Sequence, residues 1–489
     1  MKKLFNKNNI SFMIGIVIFL FLINLPLITK NIITADVLLN NSFYNGYSWE
    51  VSLGRFGLYI IGLLKSYLSI PHIELFISYL LISGSIILLF ELFDIKKKLN
   101  KILVILVICV SPIISSTLLF HYCSVGYLLS FFLSILSLYI YYKWDNKYGR
   151  FIIPIILLVA SLSMYQAYLS FIISIFIFYN LKLLISSKID YKKTVPYIGI
   201  IISSLIIYFI LMKLSQLFLH IDMSYYSNAS SIGLSTILTI PKKIIDSYIL
   251  FYNFFFTDSI MKNNYLHNSI FYILIGMFLI TYLIINTWKK KINIKNLILI
   301  FIILLLAPIY LNSIIFVIAD TKLQLLMSAS YLIIPIFIIS ILDNNKFNYI
   351  FIIIMCLLLR NYFIQINATY LSLENTFNKY YTVIGSAINN NINNLDKHFI
   401  VIGNISNDDD NSISNIYKYN YGFISDEGIF WNDHYVRKLG FERFCYEYFG
   451  ANIIFGSEDE YKKYLNNDRD ELIFEEEDLI IINLNNYNK

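Results

Sequence analysis

The sequence predicts an all-α polytopic membrane protein that carries a small α/β domain at its C-terminal end. Three observations predict it. The 489-residue chain is 57% hydrophobic and only 14% charged, whereas soluble domains are about one quarter charged. The apolar residues fall in blocks of roughly twenty, the length that crosses the hydrocarbon core as a helix. Short lysine-rich patches punctuate those blocks, and the last part of the chain turns abruptly acidic.

The blocks lie at 10–28, 71–93, 102–120, 123–142, 151–164, 166–185, 195–219, 268–287, 296–319, 323–342 and 347–365. They imply about eleven membrane-spanning helices. The fifth is short and meets the sixth at Met164-Tyr165-Gln166, which reads as a tight hairpin or a re-entrant turn. Lys2, Lys3 and Lys7 precede the first block, and Lys96, Lys97, Lys98 and Lys101 lie between the second and third. Lys143, Lys147 and Arg150 follow the fourth, Lys182, Lys188, Lys192 and Lys193 the sixth, and Lys289, Lys290, Lys291 and Lys295 the eighth. Every second connection is therefore basic, which predicts a cytoplasmic N-terminus and an external C-terminal tail. The first block is long enough to span and has no small-residue cleavage site after it, so it reads as a membrane helix rather than a cleaved signal.

Three regions then fall outside. Region 29–70 ends in the apolar stretch Phe56 to Leu68, and region 220–267 holds a second amphipathic candidate, Ile240 to Phe256; both are expected along the membrane surface. The third is the tail. The division expected is a transmembrane domain over 1–366 and an external α/β domain over 367–489. In the tail, acidic runs such as Asp408-Asp409-Asp410 and Glu475-Glu476-Glu477-Asp478 surround β-like stretches at 398–402, 451–455 and 479–484 and a helical stretch at 458–465.

Composition also excludes some functions. Cys109, Cys123, Cys356 and Cys445 show no metal-ligand spacing and support no disulfide framework. The net charge of +6 comes from lysines at block ends, where they orient the chain, so no nucleic-acid partner is implied. Heavy use of Ile, Asn, Lys, Tyr and Phe reads as the codon bias of an AT-rich genome, and Asn-rich patches carry little weight.

The first external loop concentrates chemistry. It holds Asp36, then Glu50, then Arg55 within Gly54-Arg55-Phe56-Gly57. An acid at the outer membrane boundary can act as general base on a sugar hydroxyl. An arginine beside it can hold a lipid-borne phosphate. Ordinary loop charges are the competing reading.

Further residues carry a likeness to a known family. Trp49 precedes Gly54-Arg55-Phe56 in the acid-bearing loop; His121-Tyr122 closes a block that contains Pro112; and Ser161 to Leu169 contains Tyr165-Gln166-Ala167 among apolar residues. With the multi-span topology and external tail, this resembles the type II glucosyl transferase family of bacterial O-antigen modification, within the GT-C superfamily. The likeness is densest over 30–185. Two positions depart from the family pattern: Ala35 stands where the first of a pair of acids is usual, and Phe56 where a Trp is usual.

The resemblance implies a GT-C-like fold in the bacterial cytoplasmic membrane, a polyprenyl-phosphate-linked hexose as donor and a cell-envelope glycan as acceptor. Asp36 would be the catalytic base, with Glu50 as its possible helper. Arg55, Lys322 and Arg360 would meet the donor phosphate. His121, Tyr122, Tyr165, Gln166 and Asp320 would meet sugar or acceptor. Each has a plainer reading: interfacial aromatic belt for the tyrosines, a boundary residue for His121, a structural ion pair for Asp320 and Lys322, and a snorkelling side chain for Arg360. No cofactor is required, although Asp36 and Glu50 could hold a divalent metal. A flippase or transporter of polyprenyl-linked glycans is the alternative, and almost wholly apolar mid-span positions with no internal repeat weigh against it.

Overall fold

The computed structural model describes residues 7–40, 43–44, 46–144, 146, 148–222, 234–257, 268–289, 292–317, 323–342, 348–391, 397–405, 428–465, 469, 471–476 and 478–487. They divide into two compact units. Of the described residues, the first comprises those within 7–24 and 43–363, and the second those within 25–40 and from 364 on.

Helix α1 (Lys7–Ile23) opens the first unit, and α2 (Leu25–Thr29) and α3 (Ala35–Asn40) belong to the second. The chain returns to the first unit with α4 (Ser48–Ser52), α5 (Phe56–Leu64) and α6 (Pro71–Leu92). Pro71 supplies the preset φ of a helix start, and α6 is long and apolar enough to span. Next come α7 (Lys98–Cys109) and α8 (Pro112–Leu119), which bend by 44° where the apolar block at 102–120 had read as one span. Pro112 causes the break: it has no N–H to donate to a carbonyl of the preceding turn, and Ser111 Oγ caps α8 by accepting from Ile113 N at 3.2 Å.

Helices α9 (His121–Lys143), α10 (Gly149–Met164), α11 (Tyr168–Ile185) and α12 (Tyr191–Leu219) follow. Buried serines stitch α9 to its neighbours. Ser130 Oγ and Ser134 Oγ lie 2.8 and 2.9 Å from Ser161 Oγ on α10, and Ser124 Oγ lies 2.9 Å from Ser78 Oγ on α6. Small hydroxyl residues let apolar helices approach closely while satisfying one another. Helices α13 (Leu234–Tyr252), α14 (Asn268–Trp288), α15 (Ile294–Leu305), α16 (Ala307–Leu311), α17 (Ile333–Ile341) and α18 (Asn348–Asn390) complete the series.

Among the described residues six helices are long and apolar enough to cross a membrane, and the bent α7–α8 pair makes a seventh. This is the arrangement of a multi-pass membrane protein. The expected count of eleven spans is not confirmed, because four further apolar helices, Asn9–Ile23, Gly149–Met164, Ile294–Leu305 and Leu325–Ile341, are shorter than a span requires. The block at 296–319 splits into α15, α16 and a 3-10 turn, and the block at 323–342 begins as a 3-10 turn, Leu325–Leu332, before α17. The last block continues without interruption into a 43-residue helix, and the division between the units falls inside it.

The second unit contains a four-stranded sheet: β1 (His398–Ile402), β2 (Ile454–Phe455), β3 (Ile473–Glu476) and β4 (Leu479–Asn483), in the order β2-β1-β4-β3. Strand β1 runs parallel to β2 and β4, with His398 opposite Leu479 and Ile402 opposite Asn483, and β3 is antiparallel to β4. Central β4 is buried along its length, so it reads as a continuous apolar run rather than an alternating one. Two helices cover the sheet, α19 (His434–Phe449) and α20 (Glu458–Tyr464). Ser457 and Glu460 form a reciprocal capping box at the start of α20. The core joins Phe399, Ile400, Ile480, Ile481 and Phe441 to Phe377, Tyr380 and Ile384 of α18 and to Ile33 and Leu38 around α3.

Candidate functional site

In the first unit, the loop before α6 is closed at its ends. Phe43 and Leu68 form an antiparallel bridge, and Tyr44 N donates to Tyr67 O at 2.9 Å. Between them, α4 ends in the turn Leu53-Gly54-Arg55. Gly54 has φ +83°, a left-handed conformation that side chains resist. A Cβ there would also lie 2.7 Å from Met212 Sδ and 2.9 Å from Gln166 Nε2. Gly57 is needed for proximity, since its Cβ would fall 2.5 Å from Ser163 Oγ. The Gly-Arg-Phe-Gly run therefore lies directly against the Tyr165-Gln166 break between α10 and α11.

Gln166 is part of that contact. Its Nε2 donates to Leu53 O at 2.6 Å and to Tyr208 OH at 2.8 Å, and Tyr208 OH donates to Gly54 O at 3.1 Å. Its amide thus holds the turn that presents Arg55.

Arg55 sits in an aromatic, charged centre. Its Nη1 donates to Glu50 Oε2 at 3.2 Å and to Tyr127 OH at 3.1 Å. Its guanidinium carbon lies 5.0 Å from the centroid of the Tyr165 ring, and Tyr165 stacks on Tyr127 at 4.1 Å. Glu50 is buried, and its other oxygen accepts from Tyr44 OH at 2.8 Å. Burial and then the Glu50 charge hold the Tyr44 phenol well above its ordinary range. Among the described residues, Arg55 Nε and the Tyr165 hydroxyl in this centre are buried without a hydrogen-bond partner. An orphaned buried donor costs on the order of 1–3 kcal/mol, so an acceptor belongs there.

A second ion pair adjoins the first through Tyr44. Lys65 Nζ donates to Glu74 Oε1 at 2.7 Å and to Tyr122 O at 2.8 Å, and it lies 5.5 Å from the centroid of the Tyr44 ring. Tyr44 packs on Tyr122 at 4.8 Å. Beside this pair, among the described residues, His121 Nδ1 is buried without a partner. Among the described residues no group of three His, Cys, Asp or Glu side chains is placed to hold a metal ion; the polar centre consists of ion pairs and tyrosines.

The structure thus brings together Glu50, Arg55, Tyr165 and Gln166, with His121 and Tyr122 at the second ion pair. Asp36 belongs to the second unit, half-buried in the first turn of α3, where Thr34 Oγ1 caps the helix by accepting from Val37 N at 3.3 Å. Arg360 is exposed on α18. Asp320 and Lys322 lie outside the described residues. Sequence reading missed Tyr44, Tyr127, Tyr208, Lys65 and Glu74. The tyrosines are hidden among the 40 of the chain, but Lys65 and Glu74 left a signal: each is a lone charge beside apolar residues.

Apolar helices enclosing a buried arginine, stacked tyrosines and buried ion pairs make the first unit a multi-pass membrane bundle with a polar centre. The family Glucosyl transferase GtrII matches residues 25–341, about two thirds of the chain, and the protein belongs to that family. The matched region includes α3 with Asp36 and both ion pairs, and it ends before the sheet. No curated protein and no solved structure matches the chain.

Proposed function

We propose that the protein transfers a hexose, glucose in the first instance, from a polyprenyl-phosphate donor to a hydroxyl of a cell-envelope glycan. The observation that carries this reading is the Arg55 centre, in a chain of a glucosyltransferase family. A buried guanidinium is fixed by Glu50 and Tyr127, and its Nε still lacks an acceptor. A phosphate oxygen is the acceptor such a group suits. The alternating lysines support a reaction on the outer face of the cytoplasmic membrane, where nucleotide sugars are absent and a lipid-borne donor is needed.

In this reading Asp36 takes the proton of the acceptor hydroxyl. The oxygen attacks the anomeric carbon, the bond from that carbon to the phosphate oxygen breaks, and polyprenyl phosphate leaves with the electron pair. A single displacement inverts the anomeric configuration. Arg55 stabilises the charge that develops on the phosphate, with Lys322 and Arg360 as further counter-charges. Glu50 already accepts two hydrogen bonds, so it orients Arg55. Tyr165, Tyr122, His121 and Asp320 serve the sugar, and Gln166 holds the Arg55 turn. No step is routed through a metal or cofactor.

The test uses membranes that contain the wild-type chain, Asp36→Asn or no protein, each given radiolabelled polyprenyl-phosphate glucose and envelope glycan. Wild type should move label into glycan, and Asp36→Asn at equal expression should lose about 100-fold or more of that rate. Equal transfer by both would remove Asp36 from the mechanism.

A further inference from the structure

The second unit holds a cleft that the donor chemistry leaves unused. It is an open cleft of about 450 Å³, lined by Leu39 of α3, by Leu439, Glu442, Arg443 and Tyr446 of α19, and by Asn452 and Ile453. Helix α19 turns Arg437, Gly440, Phe441, Phe444 and Cys445 into the core. Its other side leaves Tyr435, Leu439 and Tyr446 exposed at 67, 42 and 62%. Those positions fall on one helical face, and at 1.5 Å per residue the row is on the order of 16 Å long.

The cleft is tied to the helix that carries the acid. Arg443 Nη1 donates to Leu39 O, Leu38 lies in the core shared with Phe441 and Phe444, and Lys30 forms an ion pair with Glu374 of α18 at 2.6 Å. Asp36 lies one turn before Leu39 on α3, about 4.5 Å along the helix axis. Glu442 Oε1 accepts from Phe455 N at 3.4 Å and lies 3.9 Å from Lys438 Nζ.

We propose that this cleft binds the acceptor saccharide, an inference that rests on the glycosyl-transfer reading above. Tyr446 in the cleft, and Tyr435 beyond it on the same helical face, offer aromatic faces to the C–H faces of pyranose rings. Glu442, Arg443 and Asn452 offer the acceptors and donors that sugar hydroxyls require. A chain held along this face presents one of its hydroxyls beside α3. The α/β unit is then the acceptor-selecting part of the enzyme, anchored to the segment that supplies the base.

The test uses the full-length protein in nanodiscs and oligosaccharides released by mild acid from the organism's envelope polysaccharide. Saturation-transfer NMR reads binding without donor, and initial rates read the acceptor and donor KM separately. Wild type and the control Leu465→Ala, an exposed site on another element, should show saturation transfer to the oligosaccharide. Tyr446→Ala should weaken it and raise the acceptor KM about tenfold, as truncation of an aromatic anchor does; the donor KM should change by less than about twofold. Tyr435→Ala with Tyr446→Ala should abolish the NMR signal, and Glu442→Gln should raise the acceptor KM alone. Equal binding by wild type and the double variant overturns the inference, as does absence of binding to wild type or an equal rise in both KM values. Tyr446-dependent binding by a wild-type protein that transfers no hexose would leave the saccharide cleft standing and overturn the donor chemistry instead.

Discussion

Two buried arginines, one in each unit, are satisfied in opposite ways. Arg437 is 1% exposed, and each of its nitrogens is engaged. Nε donates to Trp431 O at 2.8 Å, Nη1 to Gly403 O at 2.7 Å, and Nη2 to Asn432 Oδ1 at 3.1 Å. It ties the end of β1 to the segment entering α19 and leaves no nitrogen without an acceptor. Arg55 is paired with a carboxylate and stacked on tyrosine, yet its Nε is buried without an acceptor. A guanidinium whose donors are all used by the fold is a strut. One held in place with a donor unused is prepared for a ligand, and the unmet hydrogen bond is a cost to the empty protein.

Substitutions sharpen that contrast. The largest effect falls on Arg437→Met, which strands several buried carbonyls and should destabilise the second unit by on the order of 3–5 kcal/mol. Thermal unfolding in detergent would show it, and unchanged stability would remove the strut assignment. Arg55→Lys keeps the charge and loses the planar fork. It should lower transfer about 100-fold or more with a much smaller change in unfolding temperature; a variant that is unstable but normally active would reverse the two roles. The smallest effect belongs to the cap of α20. Hydrogen bonds from the Ser457 backbone and hydroxyl hold the Glu460 carboxyl below its usual range. Its stabilising effect is therefore present above the unfolded carboxylate pKa and is lost as pH falls through the lower folded value. Ser457→Ala should cost about 1 kcal/mol near neutral pH, and the difference from wild type should shrink on acidification below about pH 4.

Much of the helical layout was legible because bilayer length and lysine punctuation act over whole blocks. Helices α6, α9, α12 and α14 begin and end within a few residues of the apolar blocks. Breaks were harder to read. Pro112 sits inside an unbroken apolar run, and hydropathy averages over the turn that it interrupts. The far half of α18 was lost for the opposite reason. Beyond Ile366 the residues turn polar, although Tyr370, Leu373, Phe377, Tyr380 and Ile384 are buried at helical spacing. That pattern signals a helix packed on protein instead of lipid. Strand β3 offers only Ile473 and Phe474 before Glu475 and Glu476, too short a run to mark a strand. At the site, Arg55 and the Tyr165-Gln166 break were visible as motifs. Their contact was not, because it depends on Gly54 and Gly57 admitting α10 at close range.

The central claim is hexose transfer from a lipid phosphate, and reconstitution tests it most directly. Purified protein in proteoliposomes would receive polyprenyl-phosphate glucose and envelope glycan, with the product linkage read by NMR. The account predicts new glucosyl residues on the glycan, in the anomeric configuration opposite to that of the donor. Absence of transfer from the glucose, galactose and mannose donors alike, or a product that retains the donor configuration, would contradict it.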